Sequence, residues 1–175
     1  MSGKLVYLMR GLPACGKSYA ARQLAADGGV VLETDQYFHD MVGCDPAQYD
    51  YDAALLPAAR QWNFERFRQC IAEGRSPIVV DRGNGLTKET QRYAAFALEH
   101  GYRVELCEPV SSWWRELRPL LEDKTRHREA LDQWAWRLAE LSRATHRVPR
   151  ATIERWLAAW TPDLTVEKIL AYQGP

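Results

Sequence analysis

The sequence predicts an α/β fold, doubly wound around a mostly parallel sheet. Four short apolar runs alternate with helical stretches as far as residue 107, and helices that connect successive strands place those strands parallel to one another. A glycine-rich loop at residues 11–16 joins the first apolar run to the first helical stretch. From Ser111 the chain turns to long amphipathic stretches, which predicts a helical region added to the sheet.

The spacing of apolar and punctuating residues predicts the elements in order. The predicted strands are residues 4–9, 30–32, 77–80 and 103–107, with a last short strand at 165–166. The predicted helices are residues 17–26, 56–71 and 87–100, each followed within three residues by glycine, and residues 40–52 are a predicted loop. Trp134 shares an apolar stripe with Leu131 and Leu138, which predicts that it packs in a core.

Length and composition are typical of one globular domain. The chain has 175 residues, 46% of them apolar and 26% charged, and its formal net charge is zero. Contact with nucleic acid would therefore require local clusters of positive charge. The chain shows no secretory signal, no membrane-spanning apolar run and no metal-ligand spacing of its cysteines, which predicts a reduced, cytoplasmic protein. We expect a single domain over residues 1–175, with 111–150 as a helical insertion and lid.

Residues 11–18 match the pattern G-x-x-x-x-G-K-[ST] in full. The glycines let the backbone curl so that N–H groups point at a phosphate, and the following helix adds its positive end. Lys17 would bind the β- and γ-phosphates, and Ser18 would ligate Mg²⁺. The pattern thus predicts a P-loop that binds ATP and Mg²⁺ through Gly11, Leu12, Pro13, Ala14, Cys15, Gly16, Lys17, Ser18 and Tyr19.

Cys15 lies inside this loop and has two interpretations. A thiol beside Lys17 and a helix N-terminus can have a lowered pKa and oxidise readily. The alternative, which we favour, is that this position simply accepts a small residue.

A kinase that acts on a hydroxyl needs a carboxylate to accept the hydroxyl proton. Ligands gather at the carboxyl ends of strands in open α/β sheets, and Asp35 and Asp81 each follow a predicted strand. We predict Asp35 as the general base and Asp81 as the residue that orients the water shell of Mg²⁺. A helix cap or turn is the alternative for both. Guanine-reading motifs such as NKxD are absent, which argues against a GTPase.

Three arginines, Arg143, Arg147 and Arg150, cluster between two amphipathic stretches. Phosphoryl transfer needs positive charge on the migrating group, and such a polar segment is typical of a closing lid. A solvated turn between two helices explains the composition equally well.

Further motifs follow in order at residues 10–18, 34–38, 51–63, 74–81, 97–105, 108–109, 143–149 and 153–155. In these segments the chain resembles polynucleotide kinase-type P-loop proteins, and most closely a group of small ATP-binding kinases or AAA-like ATPases. The resemblance implies a P-loop kinase fold with a helical C-terminal lid. It also implies ATP-dependent phosphorylation of a hydroxyl, which in polynucleotide kinases is the 5′-OH of DNA or RNA. It assigns the general base to Asp35 and a lid arginine to Arg143.

The departures from the family pattern all fall where the acceptor would bind or the lid would close. This chain has Gln36 where the family has a second acid, and Phe38 where phage enzymes have an arginine. It has Asp-Arg-Gly-Asn at 81–84 where the family has D-N-T-N. In the lid motif R-N-x-H-G-V, Ala144 replaces the Asn and Arg147 replaces the Gly. Extra residues between Trp113 and Leu141 also carry four tryptophans. These changes bear on the substrate more than on the reaction.

Trp113 and Trp114 could stack on nucleobases, although ordinary packing is the favoured alternative. We predict an ATP-dependent kinase that transfers the γ-phosphate to a nucleic-acid hydroxyl, at a 5′ end or on a modified nucleotide. A kinase for a nucleoside or another small metabolite is the first alternative. A regulatory nucleotide-binding ATPase is the second.

Overall fold

The sheet of the computed structural model, which describes residues 3–41 and 53–175, is parallel throughout. Its four strands, β1 Leu5–Met9, β2 Val30–Leu32, β3 Ile78–Val80 and β4 Arg103–Cys107, lie in the order β2-β3-β1-β4. The doubly wound α/β fold predicted from the sequence is thereby confirmed.

Eight α-helices are described around this sheet. They are α1 Lys17–Ala25, α2 Gln36–Asp40, α3 Leu56–Ala72, α4 Lys88–Glu99, α5 Ser112–Leu117, α6 Arg128–Ser142, α7 Arg150–Ala159 and α8 Val166–Leu170. Short 3₁₀ helices cover Ala53–Leu55 and Arg118–Glu122. The three helices predicted before residue 101 are confirmed to within about a turn, and Thr87 caps α4 by accepting the N–H of Thr90.

Helices cover both faces of the sheet. On one face, Ala21 and Ala25 of α1 form a cluster with Met9 and Val79. On the other face, α3, α4 and α8 contribute Phe67, Tyr93 and Ile169 to a larger cluster. No helix in the described ranges is long and apolar enough to cross a membrane.

A separate core, apart from the two clusters on the sheet, lies inside the helical region of α5, α6 and α7. It contains Trp114, Leu138 and Ile153, and also Leu12 and Cys15 of the glycine-rich loop. Trp134 is buried in this same core, which confirms the prediction from its apolar stripe. The loop is therefore packed into the helical region as well as joined to the sheet.

The structure corrects two predictions of secondary structure. Residues 165–166 do not form a strand, because Thr165 caps α8 by accepting the N–H of Lys168. A β-branched pair after a loop suits a strand or a helix start, and packing against α4 and β4 decides for the helix. Asp40, predicted to begin a loop, ends the short helix α2. The rest of that predicted loop, except Met41, lies outside the described residues.

We expect Ile169→Ala to destabilise the fold by about 2–4 kcal/mol, because it opens a cavity beneath α8 at a fully buried side chain. Denaturant unfolding followed by circular dichroism measures the loss. The matched control is Leu170→Ala on the same helix, where the side chain is 38% exposed; it should cost less than about 1 kcal/mol. Equal losses for the two variants would contradict the packing of α8 against the sheet.

Candidate functional site

The glycine-rich loop lies at the centre of the carboxyl edge of the sheet. β1 runs between β3 and β4, so the loop between β1 and α1 has Asp81 on one side and the residues after β4 on the other. The loop passes through left-handed conformations at Ala14 (φ 60°) and at Gly16 (φ 88°), which directly precedes α1. Its N–H groups and the N-terminus of α1 meet at this edge, where anions bind to such folds.

Lys17 closes the loop on itself. Its Nζ donates a hydrogen bond to the Gly11 carbonyl at 3.1 Å. Burial lowers the pKa of Lys17, and the negative charges of Asp81 and, more weakly, Asp35 oppose that shift. The fold thus places this ammonium group within electrostatic reach of both predicted acids.

Asp81 is suited to hold a hydrated cation. Its side chain follows β3, only 7% of the residue is exposed, and Oδ2 has no hydrogen-bond partner. A buried carboxylate oxygen without a partner is costly, and the waters of Mg²⁺ are donors that would satisfy it. Residues 3–41 and 53–175 contain no group of three or more His, Cys, Asp or Glu side chains that could bind a metal directly. Magnesium in nucleotide sites needs few protein ligands, so Ser18 and Asp81 fit the ion.

Glu33 is an acid of this site that the sequence analysis missed. Its pKa is raised to about 7, mainly by burial and then by the neighbouring Asp81 and Asp35 carboxyls. The signal in the sequence was an acidic residue directly after the strand β2. Only the pairing of β2 with β3 shows that it meets Asp81.

Asp35 lies directly before α2 with its side chain 51% exposed. It occupies the N-cap position of α2, in a turn, but its side chain makes no cap hydrogen bond to the helix. His146 of the α6–α7 connection brings Nδ1 to 3.9 Å from Asp35 Oδ2. The connection therefore lies over the predicted base, and His146 is a second residue that the sequence analysis left without a role.

Arg143, the predicted lid arginine, pairs with a glutamate of α6. Its side chain is 77% exposed and lies 3.5 Å from Glu140. Arg150 pairs with Glu154 and stacks over Trp136. In the structure the predicted lid arginine thus pairs with a glutamate of α6, and its role at the P-loop stays a prediction.

The α6–α7 connection, residues 143–149, is a structured turn. Buried Ser142 accepts the N–H of Val148 at 3.0 Å and donates to the Ala139 carbonyl at 3.2 Å. Arg147 has a φ of 49°, a left-handed conformation that glycine adopts more easily. This explains physically why the resembling family has glycine at that position.

Arg10 fixes the base of the loop, a role that the sequence did not reveal. Its guanidinium is buried, donates to the carbonyls of Asn84 and Thr161 at 3.0 Å each, and lies 4.1 Å above the Trp160 ring. Burial lowers its pKa to about 10, and Glu108 opposes that shift. Asn84 in turn donates to the Met9 carbonyl at 2.8 Å, so the ends of β1 and β3 are tied together.

The tryptophans and Cys15 now have structural roles. Trp114 is buried and its Nε1 donates to Glu108, so it is not available to stack on a base. Trp113 donates from Nε1 to the Ala14 carbonyl of the loop. Cys15 is fully buried, and burial raises its pKa to about 12 despite the opposing charge of Lys17. A reactive thiolate is therefore the wrong interpretation of Cys15, and a small packed residue is the right one.

Residues 6–162, most of the chain, match a known family of AAA domains. The chain belongs to the AAA_33 family. This AAA_33 domain carries the P-loop characteristic of nucleotide-binding proteins on a parallel sheet of the P-loop kinase-like type. Membership of the family agrees with the resemblance to AAA-like ATP-binding proteins noted from the sequence motifs.

Two human relatives match parts of the AAA_33 domain. NEDD4-binding protein 2 (Homo sapiens) is 37% identical over 115 residues, which is 65% of this chain and 6% of that protein. YLP motif-containing protein 1 (Homo sapiens) is 26% identical over 126 residues, 60% of this chain and 6% of that protein. The chain thus spans about 6% of the length of these curated relatives, and the similarity concerns this domain alone.

We expect Glu33→Gln to stabilise the protein at pH 8 and to leave it nearly unchanged at pH 5. The pKa of Glu33 rises from 4.5 to about 7 on folding, so the folded state binds this proton more tightly than the unfolded chain. Stability should therefore fall as the pH rises through that window. Because the carboxyl is partly solvated, we expect a gain on the order of 1 kcal/mol, or about 2–4 °C in Tm.

Thermal melts at both pH values, without nucleotide or Mg²⁺, measure this difference. Glu99→Gln, at an exposed position of α4, is the control and should show no pH-dependent gain. A gain for Glu33→Gln that is equal at pH 5 and pH 8 would contradict the raised pKa.

Proposed function

We propose that this AAA_33 domain is an ATP-dependent kinase that transfers the γ-phosphate to a nucleic-acid hydroxyl, at a 5′ end or on a modified nucleotide. One observation carries the proposal. The Asp35 carboxylate is half-exposed at the strand edge that holds Lys17, and His146 of the α6–α7 connection lies 3.9 Å from it. An acid open to solvent beside a phosphate-binding loop is what a hydroxyl acceptor requires.

In the proposed reaction, residues 11–19 bind ATP. Inward-facing loop amides, Lys17 and the N-terminus of α1 hold the phosphates by charge and hydrogen bonding. Ser18 would hold Mg²⁺ directly and Asp81 would hold it through water. When bound, the ion neutralises charge on the phosphates.

Asp35 accepts the proton of the acceptor hydroxyl as its oxygen attacks the γ-phosphorus. Arg143 compensates the charge of the migrating group once the α6–α7 connection, the proposed lid, has moved it away from Glu140. His146 of the same connection lies 3.9 Å from Asp35, which supports a role of this connection in covering the base. The resemblance to polynucleotide kinases supports a nucleic acid as the acceptor.

A kinase for a nucleoside or another small metabolite is the second candidate. The formal net charge of zero favours it, because a nucleic-acid enzyme gains affinity from positive charge. A regulatory ATPase is the third candidate, and it would transfer phosphate only to water. The acceptor experiment below separates all three.

The first test is incubation with labelled ATP and Mg²⁺ against 5′-OH DNA, 5′-OH RNA, modified-base DNA and nucleosides. We expect label in a nucleic acid, and we expect Asp35→Asn to lower the transfer rate by about 10²–10⁴-fold because the base is lost. Its affinity for Mg·ATP should be unchanged. Asp132→Asn, at an exposed position of α6, is the control and should keep full activity.

Label in nucleosides alone would favour the metabolite kinase, and release of phosphate without any labelled acceptor would favour the regulatory ATPase. Full transfer by Asp35→Asn would overturn the assignment of the base.

The second test concerns the lid. Arg143→Ala should lower kcat by about 10²–10³-fold with little change in the KM for ATP, since the charge would act only in the transition state. Arg68→Ala is a matched control, because Arg68 also pairs with a glutamate three residues earlier, on α3. Steady-state kinetics on the labelled acceptor give both constants. An equal change for the two variants would remove Arg143 from the mechanism.

A further inference from the structure

The segment after β4 holds the P-loop from outside. We name residues 108–114 the buttress. Ser111 donates from Oγ to the Cys15 carbonyl at 2.8 Å, and Trp113 donates from Nε1 to the Ala14 carbonyl at 2.9 Å. Both donors belong to side chains about a hundred residues away from the loop in sequence.

These two hydrogen bonds orient two consecutive peptide groups. In a trans peptide the C=O and N–H bonds point in opposite directions. When Trp113 holds the Ala14 carbonyl outward, the N–H of Cys15 points away from the buttress. Ser111 does the same to the next peptide, which turns the N–H of Gly16 away from the buttress. Both amides lie in the part of the pattern that would surround a phosphate.

The loop needs these hydrogen bonds because part of its backbone adopts an unfavourable conformation. Ala14 adopts a left-handed φ of 60°, which is unfavourable for a residue with a Cβ atom. Without a partner for the Ala14 carbonyl, the peptide group between Ala14 and Cys15 could rotate, so that its C=O and N–H exchange directions. Such a flip would turn a carbonyl oxygen toward the phosphate and remove a donor.

Close packing fixes the position of the buttress relative to the loop. A Cβ atom on Gly11 would lie 2.8 Å from Cγ of Pro109, so the Gly11 backbone packs against the Pro109 ring as closely as glycine permits. Leu12 and Cys15 are buried in one cluster with Trp114. The hydrogen bonds from the buttress therefore act from a fixed position.

We propose that Trp113 is a positioning residue for nucleotide binding, which acts with Ser111 by locking the loop amides of Cys15 and Gly16 toward the phosphates. The inference rests on the proposed binding of nucleotide and is independent of the acceptor. In this proposal Trp113 acts through its hydrogen bond to the loop and not through a contact with the nucleotide. Substitution of Trp113 should therefore weaken the binding of any ligand with these phosphates, whether or not the ligand carries a base.

The test uses the full chain and measures binding of Mg·ADP and of Mg·tripolyphosphate by calorimetry. Trp113→Phe keeps the ring and removes the N–H donor. Because it deletes one hydrogen bond, we expect roughly 3- to 10-fold weaker binding of both ligands. Trp136→Phe is the matched control, since Trp136 is 62% exposed and lies outside the buttress; its affinity should be unchanged.

Ser111→Ala is the second arm and should weaken both ligands by a similar factor. Ser111 also caps α5 by accepting the N–H of Trp114, so its melting temperature is measured alongside. A purely structural role would lower the Tm of Trp113→Phe and leave its affinity far below the Tm unchanged. That result would overturn the inference. So would a loss of ADP affinity without a loss of tripolyphosphate affinity.

Failure of this inference and failure of the proposed kinase can be distinguished. Wild-type protein that binds Mg·ADP but labels no acceptor leaves the role of Trp113 measurable and overturns the acceptor. Wild-type protein that binds neither phosphate ligand would overturn both.

Discussion

The parallel pairing of β1 between β3 and β4 is the constraint on which the site depends. Parallel strands end at one edge, so three chain segments that are far apart in sequence meet there. The loop after β1 receives the acid Asp81 from β3 on one side and the buttress from β4 on the other. Side-chain and main-chain bonds reinforce this edge, because Asn84 donates to Met9 and the Arg10 N–H donates to the Cys107 carbonyl.

The two sides of the loop do different work. On the β3 side lie the carboxyl groups of Asp81 and Glu33, and the charge of Asp81 acts on Lys17; the proposed reaction places the cation and the acceptor here. On the β4 side lie hydrogen-bond donors to the loop carbonyls, and this side sets the loop conformation. Phosphate binding by a P-loop depends on amide N–H groups that point at the phosphate and on a positive charge such as that of Lys17. The β4 side acts on the first and the β3 side on the second.

The helical region connects the loop to the α6–α7 connection. Leu12 and Cys15 of the loop share a core with α5, α6 and α7, and α6 and α7 carry the connection that reaches Asp35 through His146. The same region thus packs against the glycine-rich loop and carries the connection that lies beside Asp35. The acid cluster is a local conflict in this arrangement, because half-buried Glu33 lies beside the buried Asp81 and its pKa is raised. Functional sites commonly hold such local conflicts, which the rest of the fold offsets.

The sequence by itself determined the fold class, the P-loop, three of the helix–strand alternations and the burial of Trp134. These follow from local patterns, namely the period of apolar residues, glycine positions and a phosphate-binding motif within eight residues. The tertiary structure alone decided the surroundings of Glu33, Arg10, His146 and Trp113, and it placed Thr165 at the start of a helix. Trp113 and Ala14 are 99 residues apart, and no periodicity encodes a contact over that separation. Such contacts arise only when the parallel order of the strands brings distant segments to one edge.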